Sequence, residues 1–281
     1  MLPTFVIGLR EGFEAALIVG IIAAFLGQRG ESRALRYVWL GVLLAAAICV
    51  AVAVGLFLIG QSLPFQQREI MEAVLALIAV AGVTYMIVWM RGHARNLKKS
   101  LESDAADALM AGSSWALVGM AFLAVLREGL ETAVFLLAAF QSSTTPVATG
   151  FGAVLGVIAA IVLGYAIFRG GLRINMARFF NITGFVLVLV AAGLLAHAVH
   201  DLAEAGVITA LQQPAVDLSW LIAPGTVQAA LLTGLFGFQP VPTVAELLVW
   251  FLYAVPMSLY VLWPQPSRPQ RVNPTQPEVA S

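Results

Sequence analysis

The chain has 281 residues, of which 60% are hydrophobic and only 11% are charged. Soluble domains carry roughly 25% charged residues, so this composition excludes a soluble globular protein and indicates an integral protein of the lipid bilayer. Fifteen Lys and Arg residues balance fifteen Asp and Glu residues, and no basic excess favours nucleic acid as a partner.

Seven windows are long and apolar enough to cross a bilayer, which takes about 20 mainly apolar residues. They cover residues 2–26, 37–60, 69–90, 114–140, 147–168, 179–200 and 244–263. No alternating strand pattern competes with them, so the predicted fold class is an all-α membrane protein with seven transmembrane helices in one domain, residues 1–263. The first window contains Arg10, Glu11 and Glu14 and lacks a positively charged start, which favours a retained helix over a signal peptide.

The positive residues predict the orientation of these helices. The first, third and fifth loops and the C-terminal tail hold twelve Lys and Arg residues, whereas the other three loops hold only Arg68. We therefore expect the N-terminus outside and the C-terminus in the cytoplasm. Residues 201–243 then form an extracytoplasmic loop, whose apolar part at 220–235 is either interfacial or re-entrant. Residues 91–113 predict a cytoplasmic amphipathic helix, and the proline-rich residues 264–281 predict a disordered cytoplasmic tail.

One charged pentapeptide occurs twice, each time inside a predicted span. Residues 10–14 read Arg-Glu-Gly-Phe-Glu and residues 127–131 read Arg-Glu-Gly-Leu-Glu, 117 positions apart. The first helix enters the membrane from outside and the fourth from inside. Residues 1–90 and 114–200 therefore predict a 3+3 inverted repeat, and residues 244–263 predict one extra helix. Inverted repeats place a substrate site at their interface near the membrane midplane.

Each pentapeptide collects its charges on one side of its helix. At 100° per residue, Glu14 and Glu11 lie about 40° and about 100° from Arg10, while Gly12 lies on the back. The spacing Gly8-x-x-x-Gly12 lets another helix approach that back closely, and the second copy has a matching Gly-x-x-x-Ala spacing.

Charges near the bilayer centre cost roughly 2.5–3.5 kcal/mol each, so six of them must pair, be hydrated or bind something. Four carboxylates and two guanidinium groups leave a formal charge of −2, and oxygen donors without thiolate or imidazole suit a hard or borderline metal ion. Salt bridges that only join helices are the alternative. We predict that the metal is bound by Glu11, Glu14, Glu128 and Glu131. Arg10 and Arg127 would balance the charge of these carboxylates while the site is empty.

A second set of candidate metal ligands lies at the predicted outer ends of two helices. Glu69 and Glu72 begin the third helix, and four residues on one face end the sixth. These four are His197, His200, Asp201 and Glu204. Their placement suits the vestibule of an importer, whereas capping carboxylates and headgroup-facing histidines are the alternatives. Glu246, at the start of the seventh helix, is a weaker candidate.

With both pentapeptides in view, the chain resembles the oxidase-dependent iron permease family (iron/lead transporter family), closest to its bacterial ferrous-iron permeases of the EfeU type. The resemblance covers about residues 1–263, including Glu69-x-x-Glu72 and the turn after Glu204; Phe13 replaces the leucine of the family motif. It implies high-affinity iron import across the bacterial cytoplasmic (inner) membrane, with Fe2+ or Fe3+ as substrate and no permanently bound cofactor. A cupredoxin-like protein and a haem peroxidase are the implied periplasmic partners.

Three alternatives compete with iron import. Transport of another divalent metal such as manganese, or export, uses the same residues. A seven-helix receptor fits the topology, but a retinal protein needs a lysine within a helix, and Lys98 and Lys99 lie in a predicted loop. An intramembrane metalloenzyme is disfavoured because the sequence has no His-Glu-x-x-His segment and neither pentapeptide supplies the Glu-x-x-His pattern of carboxylate-bridged di-iron sites. We therefore predict a permease and no enzyme, with the oxidation state of iron, the coupling ion and the oligomeric state left open.

Overall fold

The structure is a computed structural model, and it describes residues 1–28, 30, 34–93, 114–143, 145–168, 175–222, 226, 229, 232–233 and 236–263. The described part of the chain contains seven long helices, as predicted. They are α1 (Leu2–Gln28), α2 (Ala34–Ser62), α3 (Phe65–His93), α4 (Ser114–Gln141), α5 (Pro146–Phe168), α6 (Met176–Glu204) and α7 (Val244–Leu262). The amphipathic helix predicted at 91–113, apart from the last residues of α3, and the predicted tail lie outside the described residues.

Five of the seven helices (α2, α3, α5, α6 and α7) are long and apolar enough to cross a membrane by length and composition. The other two, α1 and α4, each contain three charged residues of a pentapeptide. With 27 and 28 residues, they extend about 40 Å and exceed the ~30 Å hydrocarbon core of a bilayer. The chain is therefore a multi-pass membrane protein.

Local sequence signals explain where several helices begin and end. Pro64, which has no N–H group to donate, precedes α3, and its carbonyl accepts from the Arg68 amide at 3.0 Å. Arg68 thus lies within α3, which starts four residues earlier than predicted. Asn175 caps α6 and Thr243 caps α7 through side-chain oxygens. Gly206, with a φ of 75°, follows α6 and allows the chain to turn away.

The helices pack mainly across the two halves of the chain. α1 packs along α5, α2 along α4, and α3 along α6, while α1 and α4 also contact each other and α7 packs on α6. The largest buried apolar cluster lies among α1, α3, α4 and α6 and includes Ile7, Met86, Phe135 and Leu187. This arrangement brings both pentapeptides, on α1 and α4, to the middle of the bundle.

The connection between α6 and α7 folds back against both helices. Gly237, with a φ of 67°, lies against Gly193, and a Cβ built on Gly193 would be 2.9 Å from the Gly237 Cα. Gly193 precedes the end of α6 by eleven residues, or about 17 Å. Trp250 of α7 donates its indole N–H to the Phe236 carbonyl at 2.8 Å. This connection is thereby packed against α6 and hydrogen-bonded to α7, whereas most of residues 220–235, the segment predicted as interfacial or re-entrant, lies outside the described residues.

Candidate metal centre

The two pentapeptides meet in one group of carboxylates. Glu11 of α1 and Glu128 and Glu131 of α4 each offer an oxygen atom, and these three atoms lie within 4.8 Å of one another. We call this group the central cluster. Because the three groups come from two helices, the cluster depends on the contact between α1 and α4.

Several oxygen atoms of the central cluster have no hydrogen-bond partner among the described residues. Both carboxylate oxygens of Glu11 and the Oε2 atoms of Glu128 and Glu131 are buried in this way. A buried carboxylate without a partner is costly, since it has lost its water and gained no hydrogen bond. Converging, unpartnered oxygen atoms are the donor set that a metal cation would satisfy.

The two arginines each pair with a glutamate of their own motif. Arg10 Nε lies 3.3 Å from Glu14 Oε1, and Arg127 Nε lies 3.2 Å from Glu131 Oε1. Arg127 also lies 3.9 Å from Glu128, and its guanidinium carbon is 5.1 Å from the centre of the Trp89 ring. The structure therefore brings three of the four predicted central ligands together and pairs the fourth, Glu14, with Arg10.

Small residues on the backs of both helices permit this approach, as the sequence spacing predicts. A Cβ built on Gly12 would lie 3.0 Å from the Ala160 Cβ of α5. A Cβ built on Gly129 would lie 2.5 Å from the sulfur of Cys49 in α2. Each pentapeptide therefore turns its glycine to a neighbouring helix and contributes at least one glutamate to the central cluster.

Buried apolar residues flank the cluster glutamates in the sequence of both helices. Phe13, between the two glutamates of α1, is fully buried, and its ring centre lies 4.6 Å from Phe179 and 6.2 Å from Phe180 of α6. Ile7 lies one turn before Glu11 on α1, and Phe135 one turn after Glu131 on α4; both are buried. The sequence identified Phe13 only as a substitution in the motif, since the aromatic partners on α6 are distant in the chain.

A second carboxylate group lies where α3 begins and α6 ends. Glu69, Glu72 and Asp201 each offer an oxygen atom, and these atoms lie within 4.8 Å of one another. We call this group the terminal cluster. Gln66 donates to the Ala205 carbonyl at 2.9 Å and joins the same two helix ends.

The terminal cluster combines one ion pair with one unsatisfied oxygen. Arg68 Nε lies 2.7 Å from Glu72 Oε1. Asp201 Oδ2 is buried without a hydrogen-bond partner in the described part of the chain. As in the central cluster, a buried and unpartnered carboxylate oxygen faces a group of like charges, an arrangement that a bound cation would relieve.

The two histidines of α6 form parallel pairs with carboxylates one turn further along the helix. His197 Nε2 lies 3.5 Å from Asp201 Oδ1, and His200 Nε2 lies 3.5 Å from Glu204 Oε1. The two rings are stacked, with centres 6.2 Å apart and an interplanar angle of 23°. The four predicted residues at the end of α6 therefore share one face, and the terminal cluster extends along it.

Glu246 of α7 also reaches this face, although the sequence pattern made it the weakest candidate ligand. Its Oε1 atom lies 3.0 Å from His200 Nδ1, and the residue is only 4% exposed. The only pattern in the sequence that involves Glu246 is a capping box, in which Thr243 is followed three residues later by a glutamate. A capping box predicts the start of a helix and does not indicate a partner on α6.

Known proteins resemble this chain over nearly its whole length. Residues 1–264 match the iron permease FTR1 family. The ferrous iron permease EfeU of Escherichia coli O6:H1 (strain CFT073) is 41% identical over 268 residues, which cover 94% of this chain and 97% of that protein. The protein of the same name from Yersinia pestis is 40% identical over 266 residues, 94% of each chain. No solved structure matches the chain.

The family match and these relatives agree with the multi-pass helical fold. They also agree with an activity in transport rather than in catalysis. The chain belongs to the iron permease FTR1 family.

Proposed function

We propose that this chain imports iron through the bacterial cytoplasmic membrane and that the central cluster binds the ion during transport. The observation that carries the proposal is the convergence of Glu11, Glu128 and Glu131 with buried, unpartnered oxygens. Carboxylate oxygens suit Fe(II), and the relatives above are named ferrous iron permeases. Manganese remains the alternative ion, since it prefers the same donors.

The proposed topology has the N-terminus outside, the C-terminus in the cytoplasm, and inverted repeats at about 1–90 and 114–200. The uneven distribution of Lys and Arg between the loops supports the orientation. The packing pattern supports the repeat. If each helix of the first half is replaced by its counterpart in the second half (α1 by α4, α2 by α5, α3 by α6) and the reverse, the α1–α5 contact becomes the α4–α2 contact, which is also present. The same exchange leaves the α3–α6 and α1–α4 contacts in place.

In this topology the terminal cluster faces outside and receives the ion first. Its candidate ligands come from α3 and α6, namely Glu69, Glu72, His197, His200, Asp201 and Glu204. The ion then passes to the central cluster, where Arg10 and Arg127 balance the carboxylates while the site is empty. Glu14 joins the ligands once the ion competes with Arg10 for its oxygen.

Passage to and from the central cluster requires the apolar layers around it to separate. In this topology the proposed outer layer is Ile7 and Phe135, which are buried one helical turn from the cluster glutamates, and the proposed inner layer is Phe13 with Phe179 and Phe180. We propose that rocking of the two repeats opens them in turn. A cupredoxin-like protein and a haem peroxidase, as implied by the family resemblance, would deliver iron from the periplasmic side.

Transport can be tested with the purified full-length chain in liposomes that contain a trapped iron-sensitive dye. We expect Fe(II) influx in the wild type and a loss of at least about tenfold in Glu11→Gln and Glu128→Gln, because each removes a charged ligand of the ion. Asp217→Asn is the matched control: Asp217 is exposed in the α6–α7 connection, where hydrogen bonds from the side chain and the amide of Ser219 lower the pKa of its carboxyl group. The control should transport like the wild type.

Three results would contradict this proposal, and the first is the absence of Fe(II) influx in the wild type. Wild-type rates in both glutamate variants would reduce the pentapeptides to a structural role. A wild type that carries Mn(II) and excludes Fe(II) would favour the alternative ion.

A further inference from the structure

Glu246 connects α7, the helix outside the proposed repeats, with the face of α6 that carries the histidines. Its Oε1 atom lies 3.0 Å from His200 Nδ1, and its side chain is almost completely buried. A buried carboxylate at this position needs a partner, and His200 is the one that the side chain faces.

The start of α7 holds this carboxylate in one orientation. Thr243 Oγ1 accepts from the Glu246 amide at 3.3 Å, and Glu246 Oε2 accepts from the Thr243 amide at 3.4 Å. Negative charge in the first turn of a helix is also favoured by the helix dipole. One oxygen of Glu246 is thus bonded to the backbone, which leaves the other directed at His200.

This arrangement determines which nitrogen of His200 is available to a metal. With an ionised Glu246 and a neutral His200, Nδ1 donates to the carboxylate and Nε2 keeps the lone pair. Nε2 lies 3.5 Å from Glu204 Oε1. Two ligand atoms bound to one metal at about 2.1 Å and an angle near 110° are about 3.4 Å apart, so this pair has the separation of two ligands around one ion.

We propose that Glu246 is a positioning residue for metal capture: it holds His200 so that Nε2 and Glu204 face the same incoming ion. The inference rests on the proposed function, in which this face receives the ion first. A carboxylate that accepts from the second nitrogen of a metal-binding histidine fixes the ring and raises the basicity of the ligand nitrogen. α7 would thereby complete the capture site without contributing a ligand.

The test measures Fe(II) influx as a function of external Fe(II) for the full chain in dye-loaded liposomes. Loss of such a carboxylate partner costs 10–100-fold in metal affinity. Glu246→Ala should therefore raise the half-saturating Fe(II) concentration about 10–100-fold and leave the maximal rate unchanged. Glu246→Gln keeps an acceptor oxygen and the capping box, and should retain most of the affinity. In a His200→Ala background, Glu246→Ala should have no further effect.

Thr243→Ala is the matched control, because it breaks the other half of the capping box and leaves the carboxylate facing His200. Its half-saturating concentration should stay near that of the wild type. An equal rise in Thr243→Ala and Glu246→Ala, or full additivity with His200→Ala, would overturn the positioning role. Wild-type affinity in Glu246→Ala would overturn it as well. Absence of Fe(II) influx in the wild type would instead overturn the proposed function, so the two failures are distinguishable.

Discussion

The two copies of the pentapeptide share four of five residues but lie in different surroundings. Arg10 is 1% exposed and Phe13 is fully buried, whereas the Arg127 side chain is 44% exposed beside the Trp89 ring. Each arginine nevertheless contacts the glutamate four residues later in its own helix. The local ion pair therefore follows from spacing within a helix. The burial of each pair depends on which helices pack around it.

This difference suggests distinct roles for the two arginines in the proposed transport cycle. Arg10 has one buried nitrogen, Nη1, without a partner among the described residues, so hydrogen bonds do not fully offset the cost of burying its guanidinium group. Arg127 has a more accessible position and can exchange partners at lower cost. We therefore expect Arg10 mainly to hold the bundle together and Arg127 to change partners when the ion binds.

The largest predicted effect separates the two arginines. Arg10→Met leaves the buried Glu14 carboxylate without its partner and should lower the free energy of unfolding by about 3–5 kcal/mol. Arg127→Met removes a half-exposed pair and should cost about 1 kcal/mol or less. Denaturant unfolding of the purified variants in detergent measures both values.

A second substitution identifies the cause of the Arg10 effect. Adding Glu14→Gln to Arg10→Met removes the orphaned charge and should recover most of the lost stability, because a buried pair is costly chiefly when one partner is missing. Equal losses for Arg10→Met and Arg127→Met would show that the difference in burial has no energetic consequence.

Sequence patterns predicted the helices and the charged faces because both depend on local spacing. Residues 10–14 had to place Glu11, Glu14 and Arg10 on one side of any helix that contains them. The choice between Glu11 and Glu14 as the residue that joins α4 was not predictable, since it depends on how α1 is rotated against its neighbours. The contact between Glu246 and His200 joins residues 46 positions apart, and only the packing of α7 on α6 reveals it.

A smaller effect is expected at the glycines on the backs of the two copies. Gly129→Ala would bring a Cβ within 2.5 Å of the Cys49 sulfur and should cost about 1–3 kcal/mol of stability. Cys49→Ala removes that sulfur and leaves a Cβ contact of 3.3 Å, so the double variant should lose less than Gly129→Ala alone. In the first copy, Gly12→Ala meets Ala160, and Ala160→Gly should relieve it in the same way. Unfolding measurements that find no such rescue would contradict the predicted helix contacts.

The smallest expected effect concerns the exposed arginine and its aromatic neighbour. At 5.1 Å from the ring centre, Arg127 and Trp89 should share a cation–π interaction of about 0.5–1 kcal/mol. A double-mutant cycle with Arg127→Met and Trp89→Leu isolates this coupling from the other contacts of each side chain. A coupling in this range would mean that Trp89 stabilises the accessible position of Arg127. Zero coupling would leave the ion pairs with Glu131 and Glu128 as the forces that hold Arg127, and its release on metal binding would then depend on the central cluster alone.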